Sequence, residues 1–312
     1  MSNEDISIIV PCYNVGNVVA NCITSIKNQT YTNYICYLID DGSTDNTAEA
    51  IKKEIIGDNR FVYMLKENGG AASARNLGIE KAMSKYITFI DSDDFVSFTY
   101  LEKLINAFDE TTELSLCYFE RVYPNKKTIN TFNINDMKLC KYPGPLGKLY
   151  LTEVIKNNNI VFPDGLLYED LYFFYAYVNK IKNMKIVPEV LYSYIQYENS
   201  ISHTANERIY EIFDILHIME KESNNFLVLE YQYIYHILIA TIYKASFLKN
   251  FSVGTIKKIY FLEHYKYSNW YNNPYIKQQL PIFYKVYLWF LHKQLFFIIY
   301  IALKTLNKKV HL

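Results

Sequence analysis

The sequence contains no C-x-x-C pair, and its cysteines are odd in number: Cys12, Cys22, Cys36, Cys117 and Cys140. Structural zinc sites need cysteines or histidines at short, regular spacings, and disulfide-rich domains carry even, dense sets of cysteines. The cysteine pattern therefore argues against both classes of protein. Because stable disulfides belong to oxidising compartments, the cysteine pattern favours a reducing compartment, and we expect a cytoplasmic protein.

The chain also lacks an excess of charge and a long apolar run. Lysine and arginine together number 32, as do aspartate and glutamate, which argues against a globally basic nucleic-acid-binding protein. The longest apolar run near the C-terminus covers residues 295–303, about half of what a membrane-spanning helix needs. The first apolar run has no basic segment before it, unlike a signal peptide. We expect a soluble or peripheral protein that does not bind nucleic acid.

Two common nucleotide-binding motifs are missing as well. No G-x-G-x-x-G follows the first predicted strand, and no G-x-x-x-x-G-K-[ST] occurs anywhere in the chain. The absence of these glycine-rich loops excludes the usual dinucleotide-binding and P-loop classes.

What the chain does contain is a regular alternation of short apolar runs with helical patterns. It predicts strands over residues 6–10, 34–39, 61–65 and 86–90, with helices over 15–28, 43–55 and 71–83 between them. This order is typical of a Rossmann-like α/β fold with a mostly parallel sheet and helices on both faces. Further along, we predict strands over 114–119 and 190–197 and helices over 148–156 and 168–181.

The length of 312 residues is enough for about two domains. Beyond about residue 206 the pattern is helical and rich in tyrosine. We therefore expect an α/β domain over residues 1–210, followed by a mainly helical region over residues 211–312.

Polar clusters follow each of the four predicted strands. Pro11 and Tyr13 follow the first strand, Asp40 and Asp41 the second, and residues 68–70 and 91–94 the third and fourth. Acids and glycines are ordinary loop residues, so each cluster alone has a structural explanation. In open parallel sheets, however, ligands bind at the carboxyl ends of the strands, so four clusters at that edge indicate a binding site.

The cluster Asp91-Ser92-Asp93-Asp94 has the clearest chemical implication. Three acids in one turn repel one another unless a cation or solvent separates them. Mg²⁺ and Mn²⁺ prefer oxygen ligands and commonly share one or two carboxylates with substrate phosphates. A helix N-cap before residues 95–108 would account for Asp94 but not for the other two acids.

Several ordered motifs together resemble family 2 glycosyltransferases, nucleotide-sugar enzymes of the GT-A fold. The motifs are Ile8-Ile9-Val10-Pro11-Cys12-Tyr13-Asn14, Asp40-Asp41-Gly42-Ser43-Thr44-Asp45, Asn68-Gly69-Gly70 with Ala74-Arg75-Asn76-x-Gly78, Tyr86-Ile87-x-Phe89-Ile90-Asp91-Ser92-Asp93-Asp94, Gly147-Lys148-Leu149-Tyr150, Phe162-Pro163-x-Gly165 and Glu169-Asp170-Leu171-x-Phe173. The resemblance covers roughly residues 5–203.

The resemblance implies a role for each matching residue. Pro11 and Tyr13 would line the base and ribose pocket, and Asp41 would accept the uracil N–H while Asp40 supports the turn. The backbone at Gly69 and Gly70 would pass close to the nucleotide. Asp91, Ser92 and Asp93 would form the D-x-D motif, with Asp91 directed mainly towards ribose and metal and Asp93 on an Mn²⁺ or Mg²⁺ ion.

The Glu169-Asp170 pair resembles the catalytic acids of the family, which implies Asp170 as the base and Glu169 as the second candidate. Inverting transfer is a single displacement, so one carboxylate must take the proton of the acceptor hydroxyl. A metal on the opposite side would neutralise the departing diphosphate. Two acids at a helix N-terminus are also an ordinary structural feature.

One position departs from the family pattern. Many relatives have arginine after Tyr-x-Tyr, whereas this chain has Ile195 after Tyr192-Ser193-Tyr194. A diphosphate contact is therefore expected to be missing. Arg75 matches a family position and is a candidate nucleotide contact, although a surface ion pair on the helix explains it nearly as well. His203 is a candidate replacement that could reach the metal or a phosphate oxygen, although a loop histidine is more often simply solvated.

The C-terminal region is basic and aromatic. From residue 231 onward it carries eleven lysines and one acid, Glu263, so the first 230 residues carry the compensating net charge of −10. Basic amphipathic helices with aromatic faces can lie in an anionic membrane interface. Packing as a helical subdomain would bury the same aromatics, and we expect both explanations to hold in part.

From these observations we expect a metal-dependent, inverting transferase of the hexosyltransferase type. Its donor would be a nucleotide sugar, expected to be UDP-linked. Its acceptor would be a saccharide hydroxyl, with a lipid-linked oligosaccharide of capsule, exopolysaccharide or cell-wall synthesis at the inner face of the cell membrane as the expected context. A nucleotidyltransferase is one alternative, but the loop after the first strand has no cation before Lys27. A degenerate scaffold protein is another, which Ile195 supports and the intact acids oppose.

Overall fold

A computed structural model describes residues 5–196, 206–262, 264 and 266–310. The chain divides into two compact units, Met1–Ser200 and Ile201–Leu312. The strands are β1 Ile6–Cys12, β2 Tyr34–Asp40, β3 Phe61–Leu65, β4 Tyr86–Phe89, β5 Phe95–Val96, β6 Leu114–Tyr123, β7 Lys126–Asn130, β8 Lys148–Leu151 and β9 Met184–Ile195. The α-helices are α1 Val19–Lys27, α2 Thr47–Ile55, α3 Gly70–Lys81, α4 Tyr100–Asn106, α5 Ile134–Lys138, α6 Thr152–Asn157, α7 Glu169–Val178, α8 Ile212–Glu222, α9 Phe226–Gln232, α10 Ile242–Ala245, α11 Val253–Leu262, α12 Pro274–Gln279, α13 Ile282–His292 and α14 Phe296–Val310.

The first unit is built on one nine-stranded sheet in the order β3-β2-β1-β4-β8-β6-β9-β5, with β7 paired to β6. Strands β1 to β4 are parallel, as the alternation predicted. Strands β2 and β3 lie on one side of β1, and β4 lies on the other. The direction of winding therefore reverses between β1 and β4, and such a switch point opens a ligand-binding crevice at the carboxyl ends of the strands.

Side chains of β1 alternate between the two faces of the sheet. Ile8 and Val10 belong to the buried core that includes Val19 of α1, whereas Ile9 faces α3. Helix α3 approaches closely because residue 78 is glycine: a Cβ there would lie 2.4 Å from Cγ2 of Ile9. The prediction of an α/β fold with helices on both faces is confirmed.

The second half of the sheet is mixed. Strand β8 is antiparallel to both β4 and β6, whereas β9 is parallel to β6. The predicted helix over residues 148–156 is wrong in its first half, because Lys148–Leu151 forms strand β8 and only Thr152–Asn157 is helical. Leu149 and Tyr150 are completely buried in this short central strand, and a strand of four residues is too short for periodicity to distinguish it from helix.

The second unit, in its described residues, is helical. One apolar stretch, Phe226–Ala245, is long enough to cross a membrane by length and composition, with a mean hydropathy of 1.2 in its most apolar window. Within the structure 67% of that window is buried, a property that a core helix of a globular domain shares. Its middle, Tyr233–Thr241, is π-helical.

Candidate active site

The loops after β1 and β2 are held together by hydrogen bonds. The backbone N–H of Asn14 donates to Oγ of Ser43 over 3.0 Å, and the N–H of Thr44 donates to Oδ1 of Asn14 over 2.9 Å. Pro11 lies within β1, and Tyr13 follows it with half of its surface exposed. Both predicted base-pocket residues therefore lie at the carboxyl edge of the sheet.

Asp40 and Asp41 are buried but make different contacts. Asp40 accepts hydrogen bonds from the N–H of Ser43 and the hydroxyl of Tyr63, each over 2.8 Å. Both of its carboxylate oxygens are therefore engaged in holding the turn after β2. The resemblance implied that Asp40 supports this turn.

Asp41 joins the turn after β2 to the start of α3. Its carboxylate accepts from Nζ of Lys66 over 2.6 Å and from the N–H groups of Gly69 and Gly70 over 3.0 and 2.7 Å. A carboxylate offers roughly four acceptor positions, so these three donors leave room for one more. The positive end of the α3 dipole further favours a negative charge here.

The three acids after β4 differ in their surroundings. Asp94 is completely buried and accepts from the hydroxyl of Tyr192 and the N–H of Ile195, over 2.7 and 2.8 Å. It therefore fastens this turn to β9. It does not cap α4, whose N-cap residue is Thr99.

Asp91 and Asp93 are the partly buried acids of the same turn, with the buried Ser92 between them. Asp91 accepts from Nη2 of Arg75 over 2.9 Å. The carboxylate of Asp93 has no hydrogen bond or ion pair with any other described residue, and burial together with the neighbouring Asp91 raises its pKa to about 6. A carboxylate without a protein partner is available to a ligand.

This pair fits a hard divalent cation that shares its ligands with a diphosphate, since such ions need only one or two protein carboxylates. Among the residues that the structure describes, no group of three or more His, Cys, Asp or Glu side chains is arranged to hold a metal ion. His203, the third predicted metal ligand, lies outside the described residues. Two carboxylates are therefore what the described part of the site supplies.

Arg75 connects the two acidic motifs. Its guanidinium donates to Asp91 over 2.9 Å and to Glu169 over 3.2 Å, and it lies 5.4 Å from the ring centre of Phe162. Burial opposes the positive charge, but Asp91 and Glu169 outweigh it and raise the pKa of the guanidinium. Arg75 is therefore a buried bridge within the site, and the alternative of a surface ion pair is wrong because the side chain is 8% exposed.

Glu169 and Asp170 begin α7. The N-cap residue Tyr168 has a φ of 71°, a left-handed conformation that is costly for a bulky residue. Such strain is typical of positions that must orient a functional group. Among the described residues, Oδ1 of Asp170 accepts only the N–H of Leu171, over 2.8 Å. Burial is the main cause that raises the pKa of both carboxyls.

A cavity of about 350 Å³ brings Asp91, Arg75, Glu169 and Asp170 together. Its remaining lining residues are Phe119, Arg121, Lys141, Tyr142, Pro143, Gly144, Pro145, Leu146, Lys148, Tyr192 and Tyr194. The predicted residues Pro11, Tyr13, Asp40, Asp41, Gly69 and Gly70 do not line it and lie along the neighbouring edge of the sheet. The site therefore has two parts, a loop edge at β1–β3 and a cavity beyond β4.

Sequence reasoning missed three cations of this cavity, Arg121, Lys141 and Lys148. Lys148 is buried in β8 and donates to the carbonyls of Tyr142, Gly144 and Leu146, so it supports the cavity loop. Burial lowers the pKa of its amine to about 8. Arg121 lies on β6, and its place as one of only four arginines in the chain was the available signal.

Comparisons with known proteins identify relatives in sequence. The family model described as glycosyl transferase family 2 matches residues 7–163. Glycosyltransferase GlyA of Streptococcus pneumoniae is 30% identical over 228 residues, which cover 66% of this chain and 32% of GlyA. The putative glycosyltransferase EpsH of Bacillus subtilis is 28% identical, with 68% of this chain and 66% of EpsH covered. The chain thus spans about a third of GlyA and just under two thirds of EpsH.

Solved structures show the same fold at low sequence identity. Residues 1–349 of TarS from S. aureus, in complex with UDP, superpose with a TM-score of 0.59 at 17% identity, covering 89% of this chain and 76% of TarS. The mannosyltransferase PcManGT from Pyrobaculum calidifontis, in complex with GDP-Man and Mn²⁺, superposes with a TM-score of 0.58 at 14% identity. The match covers 97% of this chain and 88% of PcManGT. The predicted GT-A fold is confirmed by these neighbours.

The matched region contains the loop edge and the D-x-D motif, and it ends shortly before Glu169. It covers half of the chain, and the fold of the neighbours agrees with it. The chain belongs to glycosyl transferase family 2.

Proposed function

We propose that this protein transfers a sugar from a UDP-linked donor to a saccharide hydroxyl with inversion at the anomeric carbon. The observation that carries the proposal is the cavity in which Asp91, the first acid of the D-x-D motif, lies with the Glu169-Asp170 pair. Donor and acceptor chemistry need separate carboxylates around one reaction centre, and carboxylates of both motifs line this cavity.

The loop edge at β1–β3 would hold the nucleotide. Tyr13 is half exposed and offers an aromatic face, and Asp41 has one acceptor position left for a base N–H. The N–H groups of Gly69 and Gly70 hold Asp41 in place, and Asp40 fixes the turn. UDP in the TarS complex and GDP-Man in the PcManGT complex support a nucleotide-sugar donor.

Asp91 and Asp93 would hold an Mn²⁺ or Mg²⁺ ion, which when bound neutralises charge on the departing diphosphate. Asp93 supports this role because no described residue occupies its carboxylate. Arg75 fixes Asp91 through their ion pair. The Mn²⁺ in the PcManGT complex agrees with such a site.

Asp170 would accept the proton of the attacking hydroxyl. Glu169 is held by Arg75, whereas Asp170 forms no ion pair among the described residues and accepts only one backbone N–H. Burial raises the pKa of the Asp170 carboxyl, which makes it a stronger base than an exposed aspartate. Glu169 would then position Arg75 and Asp91.

The test compares Asp170→Asn with Glu169→Gln as its matched neighbour. We expect Asp170→Asn to keep its affinity for UDP and to lose about 10²-fold or more in turnover, the usual scale for a general base. The loss of turnover in Glu169→Gln should be smaller. UDP affinity is measured by calorimetry and turnover by release of UDP from a panel of UDP-sugars with saccharide acceptors. An active Asp170→Asn and an inactive Glu169→Gln would assign the base to Glu169.

We further propose that the acceptor is lipid-linked, as in capsule, exopolysaccharide or cell-wall synthesis at the cytoplasmic face of the membrane. Helix α13 packs through Leu288 and Leu291 but leaves Ile282, Phe283, Val286 and Trp289 exposed on a helical stripe. Helix α14 likewise exposes Phe297, Ile298 and Ile301. We call these seven side chains the apolar stripe. With the basic charge of this region, it suits an anionic membrane surface.

A further inference from the structure

Arg121 stands apart from the other arginines of the chain. Three of the four form ion pairs with carboxylates: Arg60, Arg75 and Arg208. The guanidinium of Arg121 has no hydrogen bond or ion pair with any other residue in the described ranges. Its Nε is buried without a partner, as is the Nε of Arg75, but Arg75 engages both of its terminal nitrogens in ion pairs. Buried donors without partners are rare in native proteins and indicate a missing ligand, ion or water.

The side chain lies in the cavity. Arg121 on β6 is paired with Tyr194 on β9, and both residues line the cavity that contains Glu169 and Asp170. Its guanidinium carbon lies 6.0 Å from the ring centre of Phe119, a distance at which an aromatic face still attracts a cation. Arg121 therefore lines the same cavity as the predicted base.

The other cations of the cavity already have protein partners. Arg75 holds Asp91 and Glu169, and Lys141 holds Asp136 over 2.6 Å. Lys148 is engaged by three carbonyl groups. Arg121 is thus the one cation lining the cavity whose described surroundings leave it without a partner.

The sheet order places Arg121 away from the nucleotide edge. That edge follows β1, β2 and β3, whereas β6 lies two strands beyond β4, or roughly 10 Å at the usual spacing of neighbouring strands. Two aromatic residues of the cavity lie near Arg121: Tyr194 is its strand partner, and the ring of Tyr142 lies 6.0 Å from that of Phe119, which Arg121 contacts. This part of the cavity is suited to the saccharide rather than to the base.

We propose that Arg121 binds an anionic group, a carboxylate or a phosphate, carried on the saccharide side of the substrate. The guanidinium fork matches such groups in bidentate geometry and is always charged. The inference deepens the proposed glycosyl transfer and rests on it: the preferred substrate would carry an acidic sugar or a sugar phosphate. The donor diphosphate offers the same chemistry, and the experiment separates the two sources.

The experiment measures binding of UDP, UDP-glucose and UDP-glucuronate with Mn²⁺ to wild type, Arg121→Gln and Arg121→Lys. Glucuronate and glucose 1-phosphate are tested alone as fragments. Lys127→Gln is the matched control, because it removes one positive charge from the same β6–β7 hairpin, where Lys127 is exposed and pairs with Glu120. Unfolding curves verify that each variant is folded.

We expect wild type to bind UDP-glucuronate more tightly than UDP-glucose, or to bind the acidic fragments. Arg121→Gln should lose about 10- to 100-fold of that affinity and keep its affinity for UDP. Arg121→Lys should keep part of it, and Lys127→Gln all of it. An equal loss for all three nucleotides would assign the anionic group to the diphosphate and overturn the saccharide assignment. Unchanged affinity of Arg121→Gln for every probe would overturn the inference altogether. A wild-type protein that binds no UDP would instead contradict the proposed function, while the fragments still test Arg121.

Discussion

At the scale of single residues, the partners of a side chain decide its role more than its type does. Asp91, Asp93 and Asp94 share one turn, yet Arg75 holds the first, β9 holds the third, and no described residue holds the second. Asp94 is structural because the groups that it accepts from are protein groups. The carboxylate of Asp93 is available for a ligand because no described protein group donates to it, and this difference leads to a prediction.

Asp93→Asn should abolish the gain in UDP affinity that Mn²⁺ gives, because the variant lacks the carboxylate that we expect on the metal. In wild type the same gain should fall as the pH is lowered through about 6, where this carboxyl takes up a proton. Calorimetry of UDP with and without Mn²⁺ at several pH values measures both effects. A metal-linked gain that survives in the variant would contradict the assignment.

The raised pKa of Asp93 also makes the stability of the protein depend on pH. The pKa of Asp93 is raised from an ordinary value of 3.8 to about 6, so the folded state binds more protons than the unfolded state between these values. The free energy of unfolding therefore falls as the pH rises through this window. Asp93→Asn removes this cost. Its free energy of unfolding should exceed that of wild type by on the order of 1 kcal/mol near neutral pH and should equal it at pH ~4. Urea unfolding at both pH values measures the difference.

At the scale of secondary-structure elements, helix α3 organises the site. Its first residue, Gly70, donates to Asp41, and its middle carries Arg75 to Asp91 and Glu169. Both contacts depend on how closely the helix approaches β1. Gly78 permits this approach, because an added Cβ would lie 2.4 Å from Ile9 and 3.0 Å from Ile39.

Gly78→Ala should therefore push α3 away from the sheet and lower the free energy of unfolding by about 1–3 kcal/mol, the usual cost of overpacking a core. Turnover should fall as well, since Arg75 moves with the helix. Gly254→Ala in α11 is the matched control, because its added Cβ would meet no atom closer than 3.4 Å. Equal unfolding midpoints for the two variants would show that the approach at Gly78 is not tight.

At the scale of the whole molecule, charge is distributed unevenly along the chain. The first 230 residues carry a net −10, and the remainder carries eleven lysines against Glu263. The C-terminal region also contains the apolar stripe of α13 and α14, whose most exposed members are Ile282, Phe283 and Phe297 at 75%, 64% and 65%. Attraction to anionic lipid and burial of apolar side chains should therefore act together.

The full-length chain should pellet with anionic vesicles, less with neutral ones, and less again at high salt, because salt screens the attraction beyond ~8–10 Å. The triple variant Phe283→Ser, Trp289→Ser and Phe297→Ser should lose most of this binding and keep its affinity for UDP. Three exposed apolar residues of the first unit, changed together in Ile56→Ser, Met83→Ser and Phe98→Ser, provide the control. Equal pelleting of both triple variants would contradict a membrane role for the stripe.

The sequence by itself determined the parallel half of the sheet, the polar clusters at its carboxyl edge and the family. Each of these features depends on a short stretch of sequence. The spacing of apolar residues indicates a strand or a helix, and the residues that come directly after a strand must lie at the edge of the sheet. The predicted strand over residues 61–65 matches β3, and Asp40, Asp41 and Asp91 are where the strand ends required. Local patterns carry this information because neighbours in the chain are neighbours in space.

Only the tertiary structure decided which residues share the cavity. Arg75 and Glu169 are 94 positions apart, and no periodicity links them. The place of Arg121 in the cavity follows from the pairing of β6 with β9. The place of Lys148 follows from the strand β8 between β4 and β6, in a segment that we predicted as helix. Contacts of this kind arise from packing between distant segments, so burial, ion pairing and the availability of a carboxylate cannot be read from residue spacing alone.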